Sequence, residues 1–237
     1  MALIPDTVSI VKELVSLVVE TVVVASVLDN GNDTFTLSSE DTKHISIKNY
    51  VTIGATKYKV QALVQDVSFT IEKGLSSDPD PVVGDITLPA PFFINGTIIS
   101  AKRELDKTEW KDKYPMVFLY EIYKERWRAD KTDPIAFDTR LRLFFMDQTR
   151  QADFTTADQY EEKLRPMRSL VFSFLDLLES KQCRTGELTQ DYDLIPWVNF
   201  GKFTSDKGNL EAFFNDEVSG YELDIEIPIK KSYISSN

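Results

Sequence analysis

Cysteine and histidine are almost missing from this chain: Cys183 and His44 stand alone among 237 residues. One cysteine excludes an intrachain disulfide and a cysteine-type zinc site. One histidine removes most imidazole acid–base and metal chemistry. Glycine-rich phosphate loops of the G-x-G-x-x-G or G-x-x-x-x-G-K-S/T type are absent. A basic surplus is absent as well. The net charge of −11 and pI near 4.7 repel phosphate, which argues against a nucleic-acid reader or a binder of anionic membranes. The apolar stretch from Val8 to Val27 is interrupted or flanked by Asp6, Lys12, Glu13 and Glu20. It falls short of the roughly 20 apolar residues of a membrane span. The start M-A-L-I-P-D lacks a basic n-region with a following apolar run, so it does not read as a signal peptide. Asp112, Asp147 and Asp153 follow no calcium- or magnesium-loop spacing, and no metal or other cofactor is expected.

What is present is core material: 42% of the residues are hydrophobic and 11% aromatic, enough for folded structure. Asp6 is positioned to cap a first helix with Ile10, Leu14 and Leu17 on one face. Short β-like runs follow at 21–28, 33–37, 43–47, 49–53, 58–64 and 68–73, separated by turn signals such as D-N-G-N-D at 29–33. Such spacing predicts a small barrel or sandwich. The Pro-, Gly-, Ser- and Asp-rich stretch 74–85 reads as a linker. Beyond it come an extended segment (89–94), a short helix (98–107) and strands at 114–123 and 137–147. A long helix over 156–179 is expected next, then strands at 197–203 and 214–229. Thr156 and Gln159 form a capping box for the long helix. Tyr160, Leu164, Met167, Val171, Phe174 and Leu178 form its apolar face, and Pro166 should bend or restart it.

No nucleophile–base pair is evident. Asp216, Glu217, Asp224 and Glu226 are dense enough to suggest a glycosidase-like pair. However, Glu222, Asp224 and Glu226 alternate with Leu223, Ile225 and Ile227, which places them on the exposed face of one strand. The R-W-R run at Arg126, Trp127 and Arg128 has the composition of a contact hot spot, and Trp197 is a second contact candidate.

The wording N-G-T-I-I-S-A-K-R-E-L-D-K…K-Y-P-M-V-F-L-Y-E-I-Y-K-E-R-W resembles tail-terminator and neck-ring proteins of tailed bacteriophages, particularly the crAss-like phages of Bacteroides. The same holds for L-R-L-F-F-M-D-Q-T…T-A-D-Q-Y-E-E-K-L-R-P-M-R-S-L and for F-N-D-E-V-S-G-Y-E-L-D-I-E-I-P-I. The resemblance covers about residues 90–230, and the first helix weakly. It implies an α+β chain with a tail-terminator-like domain (1–18 and 84–237) whose mixed or antiparallel sheet packs on one long helix. Residues 19–83 would be an inserted β module. It further implies a non-enzymatic virion component assembled in the host bacterial cytoplasm. Six or twelve copies would form a ring at the head–tail junction, touching portal or other neck rings and tail tube or hub proteins. DNA would pass the ring channel without sequence recognition, with Glu222, Asp224 and Glu226 as candidate lining residues. A non-viral multidomain adaptor or binding module shares every compositional feature and stands as the alternative.

Overall fold

Alternation of apolar and polar residues sets the first half of the chain. In the computed structural model, which describes residues 6–127, 135–149, 160–181, 192–200, 202–204, 210–212 and 217–230, seven strands pair antiparallel. They are β1 (Thr21–Val24), β2 (Ser26–Gly31), β3 (Thr34–Ser38), β4 (Tyr50–Ile53), β5 (Thr56–Val64), β6 (Ser68–Glu72) and β7 (Gly84–Thr87). Their order is β1-β7-β4-β5-β6-β3-β2. Only Ala25 separates β1 from β2, yet these two strands occupy opposite ends of that order. One continuous segment can flank both ends only if the sheet curls round to meet itself, so the module is a small barrel. The alternating residues Val22, Val24, Phe35, Leu37, Val51, Tyr58, Val60, Phe69, Ile71 and Ile86 fill its interior. At the β2–β3 turn, Gly31, Asn32 and Asp33 all take positive φ (78°, 54° and 61°). Gly, Asn and Asp are the residues that tolerate this region, which is why D-N-G-N-D reads as a turn.

Two expectations for this region are corrected. Residues 43–47 form no strand. They turn, with Ile45 N–H donating to the Thr42 carbonyl at 2.9 Å, and the Ile45 side chain joins the barrel core. The linker-like composition near residue 84 conceals strand β7, which pairs with β1 from Thr21↔Thr87 to Val24↔Gly84. The chain therefore returns from the barrel at Leu88, whose N–H donates to the Glu20 carbonyl at 2.9 Å, rather than at Val83.

The rest of the chain builds a second sheet in the order β11-β14-β10-β9-β8. Its strands are β8 (Phe92–Asn95), β9 (Met116–Trp127), β10 (Ile135–Gln148), β11 (Asp193–Phe200) and β14 (Val218–Lys230). The β8–β9 pair is parallel and the other pairs are antiparallel, so this sheet is mixed and the chain as a whole is α+β. The strands β12 (Lys202–Thr204) and β13 (Leu210–Ala212) pair antiparallel as a separate two-stranded sheet. One sheet face presents Phe137, Leu141, Leu143, Phe145, Tyr221, Leu223, Ile225, Ile227 and Ile229 to two helices. These helices are α1 (Thr7–Ser16) and α4 (Arg165–Lys181). The other face is covered at one end by α2 (Ile98–Lys107), through Ala101 and Leu105 against Phe118, Phe144 and Met146. A short helix, α3 (Trp110–Lys113), precedes β9.

Capping follows the expected chemistry. Asp6 Oδ1 accepts from Ser9 N–H at 2.7 Å, and Thr97 Oγ1 accepts from Ser100 N–H at 3.2 Å. Leu17 lies past the last turn of α1 and is 43% exposed, and Val11, Val15 and Val18 complete the buried stripe in its place. Within the described residues the long helix runs as a π-turn over Tyr160–Leu164 and is α-helical from Arg165, one residue before Pro166. Proline has no N–H for the carbonyl four residues back, so a change of helical register there is the restart expected of Pro166. Leu164, Met167, Val171, Phe174 and Leu178 are buried, whereas Tyr160 is 44% exposed because the wider turn rotates it off the stripe. Thr156 and Gln159 lie outside the described residues.

Candidate functional site

The expected contact residues fall on two different faces of the second sheet. Trp197, on edge strand β11, pairs in register with Gly220 and through it with Met146, on the face opposite α1 and α4. Trp197 is 39% exposed, and its ring stands edge-on to Phe200 with centroids 5.8 Å apart. Its Nε1–H donates to Glu222 Oε2 at 2.7 Å. Gly220 beneath it admits no side chain, because a Cβ there would lie 1.8 Å from the Phe145 carbonyl oxygen. Pro196, which cannot donate to a ladder, sits beside Trp197 on this edge strand, where proline is tolerated. Trp127 ends β9 opposite Phe137 on the helix-bearing face, ring on ring at 4.4 Å, and is 54% exposed. Arg126 lies across from Asp138 on the other face and is exposed. Arg128 lies outside the described residues, as do residues 182–191 before β11.

The acidic strip is not what its sequence suggests. β14 is an interior strand between β11 and β10. Glu222 is only 5% exposed, and Arg142 Nε lies 2.9 Å from its Oε1. Asp224 accepts from Arg140 Nε at 2.9 Å and Nη2 at 3.2 Å, a bidentate pair. Glu226 stands in register with Arg140. Three carboxylates and two arginines thus interleave on one face. The exposed acidic face expected of Glu222, Asp224 and Glu226 is corrected for the first two: Glu222 is buried and Asp224 half-buried, each against an arginine. The arginines come from β10, far from β14 in the chain, so alternation within β14 alone could not reveal them.

A second cluster, not anticipated, lies where the barrel meets the sheet. Lys163 and Asp147 are both 0% exposed, with Lys163 Nζ at 2.9 Å from Asp147 Oδ2. Lys163 Nζ also donates to Ser46 Oγ at 3.0 Å and to the Ile47 carbonyl at 2.6 Å. The Ser46 hydroxyl lies in hydrogen-bond reach of both Asp147 Oδ2 and, at 2.9 Å, the Glu162 carbonyl. Asn49 Nδ2 donates to the same Asp147 oxygen at 3.2 Å, and Gln148 N–H serves the other at 2.7 Å. Gln65 Nε2 donates to the Glu161 carbonyl at 3.0 Å. The π-turn carbonyls of Glu161 and Glu162 are therefore taken up by barrel side chains. A signal for this cluster was present. Lys163 lies four residues before Met167 on the apolar stripe, and Asp147 continues the inward alternation of Leu141, Leu143 and Phe145 on β10.

Ser46 beside Lys163 has the composition of a serine–lysine nucleophilic pair. Its surroundings also tie it into the junction between barrel and sheet. Nζ lies within hydrogen-bond distance of Ser46 Oγ, the Ile47 carbonyl and Asp147 Oδ2 together, so the hydroxyl is one of three groups it serves. The adjoining crevice, lined by Glu20, His44, Ser46, Asn49, Met167 and Leu170 among others, holds about 30 Å³ of water-sized space. That is room for about two water molecules. In the same crevice, burial pushes the His44 imidazole below its ordinary value of 6.5. Glu20, with its carboxylate 3.6 Å from Nε2, opposes that shift, and Lys43 adds to it. Among the described residues no group of three or more potential ligands is placed to hold a metal ion, and no helix is long and apolar enough to cross a membrane. Asp112 pairs with Lys57 Nζ at 2.7 Å, and Asp153 lies outside the described residues.

No protein-family profile, curated protein or solved structure matches this chain.

Proposed function

We propose that this chain is a structural, non-enzymatic component of a tailed-phage neck, a tail-terminator-like α/β domain with an inserted barrel, forming a ring at the portal–tail junction. One observation carries the reading. The separate segments whose wording resembles neck-ring proteins fall on adjoining elements of one unit: α2, β9, β10, the π-turn with the start of α4, and β14. The barrel of residues 21–87 lies outside all of them.

Ring assembly asks each copy for two different, complementary surfaces, because a head-to-tail contact is heterologous. Trp127 and Trp197 supply exposed aromatic anchors on opposite faces of the sheet, separated by the two interior strands β10 and β14. Aromatic residues neighboured by arginine are the usual centres of such contacts. Partners in the assembly would be further copies, six or twelve in all, with portal or neighbouring neck rings above and tail tube or hub proteins below. The protein would be located in the virion. Passage of DNA needs no base recognition, and with Glu222 and Asp224 paired to arginines, repulsion of phosphate falls mainly to other acidic surface. The barrel region 20–88 carries ten carboxylates against five lysines and is the stronger candidate.

Mass photometry of the purified chain tests the assembly step. Rings of six or twelve copies of 27.1 kDa are expected, and Trp197→Ala together with Trp127→Ala should return the population to monomer. A monodisperse monomer at high concentration, unaffected by either substitution, favours the adaptor reading.

A further inference from the structure

We infer that the buried Lys163–Asp147–Ser46 group is a clamp that locks the barrel to the sheet domain, so that the two modules move as one body. The inference is independent of the neck reading. Its members come from three places: Ser46, Ile47 and Asn49 from the barrel's 43–49 turn, Asp147 from the end of β10, and Lys163 from the π-turn. Each end of the ion pair is engaged by the barrel. Ser46 and the Ile47 carbonyl accept from the ammonium, and Asn49 donates to the carboxylate. If the barrel swings away, Lys163 loses two of its three acceptors and Asp147 loses the Asn49 donor.

The pairing is dry, unlike a second ion pair that crosses nearby. Arg165 Nη2 and Asp66 Oδ2 also join helix to barrel at 2.9 Å, but their side chains are 31% and 48% exposed. An exposed pair of this kind is screened by salt, whereas a fully buried one is screened far less. The clamp therefore sets a barrel orientation that high ionic strength does not loosen. Pro166 is part of the device, because the π register ahead of it turns Lys163 into the junction rather than toward solvent.

Hydrogen–deuterium exchange of the full chain tests this. In the wild type, amides of residues 45–49 and 160–164 should stay protected equally at 0.1 and 1 M NaCl. Lys163→Met leaves the Asp147 carboxylate buried without its cation. It should raise exchange at these junction amides at least 100-fold, while amides of β3, β6 and β14 keep their protection. Arg165→Ala should change junction exchange less than about fivefold. Should Lys163→Met unfold the chain outright, Ser46→Ala decides. It keeps the ion pair and removes one crossing hydroxyl, and should raise junction exchange about tenfold with both cores unchanged. Junction amides unaffected in Ser46→Ala, or loosening in step with the β14 core, would overturn the clamp. So would wild-type junction protection that collapses at 1 M NaCl.

Discussion

Replacing Phe174 by alanine probes the packing on which the second sheet depends. Phe174 is 0% exposed on α4, and its ring meets Phe145 of β10 edge-on with centroids 5.5 Å apart. Truncation removes the transfer energy of the ring and leaves a cavity that can close only if α4 moves. The helix is pinned ahead of Pro166 by the buried Lys163 group, so collapse is limited and the upper part of the usual Phe→Ala range applies. The expected loss is about 4–5 kcal/mol, of which about 1 kcal/mol is the aromatic pair itself. The assay is urea denaturation followed by tryptophan fluorescence. Trp110, Trp127 and Trp197 all lie outside the barrel, so the signal reports the sheet domain. Phe172, two residues away but 39% exposed, is the control, and Phe172→Ala should cost less than about 1 kcal/mol. Equal effects of the two substitutions, or a loss below about 1 kcal/mol for Phe174→Ala, would refute the assignment of the buried face.

Other outcomes follow from the same geometry. Gly220→Ala should cost about 3 kcal/mol or more, measured by the same denaturation, because its Cβ would meet the Phe145 carbonyl at 1.8 Å; a neutral result would mean that β10 and β14 are further apart than described. His44 is held below its ordinary 6.5 by burial, so on acidification the unfolded chain takes up its proton first. Stability is then complete above about pH 7 and falls as the pH drops through 6.5 toward the folded value, and His44→Gln should flatten that part of a pH–stability curve. Deleting residues 21–87 with a short Gly-Ser bridge between Glu20 and Leu88, which are already hydrogen-bonded at 2.9 Å, should leave a folded domain by circular dichroism and one-dimensional NMR.

Features governed by local chemistry were legible in the sequence. The Asp6 cap, helix 98–107 and the Leu164–Leu178 stripe all appear where side-chain spacing places them, because capping and periodicity act over a few residues. The D-N-G-N-D turn belongs to the same class. What escaped depends on contacts between distant segments. Strand β7 has the Gly and Asp of a linker and becomes a strand because β1 offers it a ladder. Residues 43–47 have the alternation of a strand, but Ile45 is spent on closing the barrel. The paired state of Glu222 and Asp224 needed Arg142 and Arg140, and the junction cluster needed three separated segments. A lysine on an apolar stripe and an aspartate at the inward end of a strand were the available signs of it. Burial turns such residues into partners, since neither charge is tolerated alone in the interior.

The neck assignment itself is tested most directly by a cryo-electron microscopy map of the native particle. The account predicts six or twelve copies of this chain in a closed ring at the portal–tail junction, with Trp127 and Trp197 of each copy in contact with neighbouring subunits and the DNA channel on the ring axis. Density for the chain elsewhere in the particle, its absence from the particle, or an isolated monomer with both tryptophan faces in solvent would contradict it.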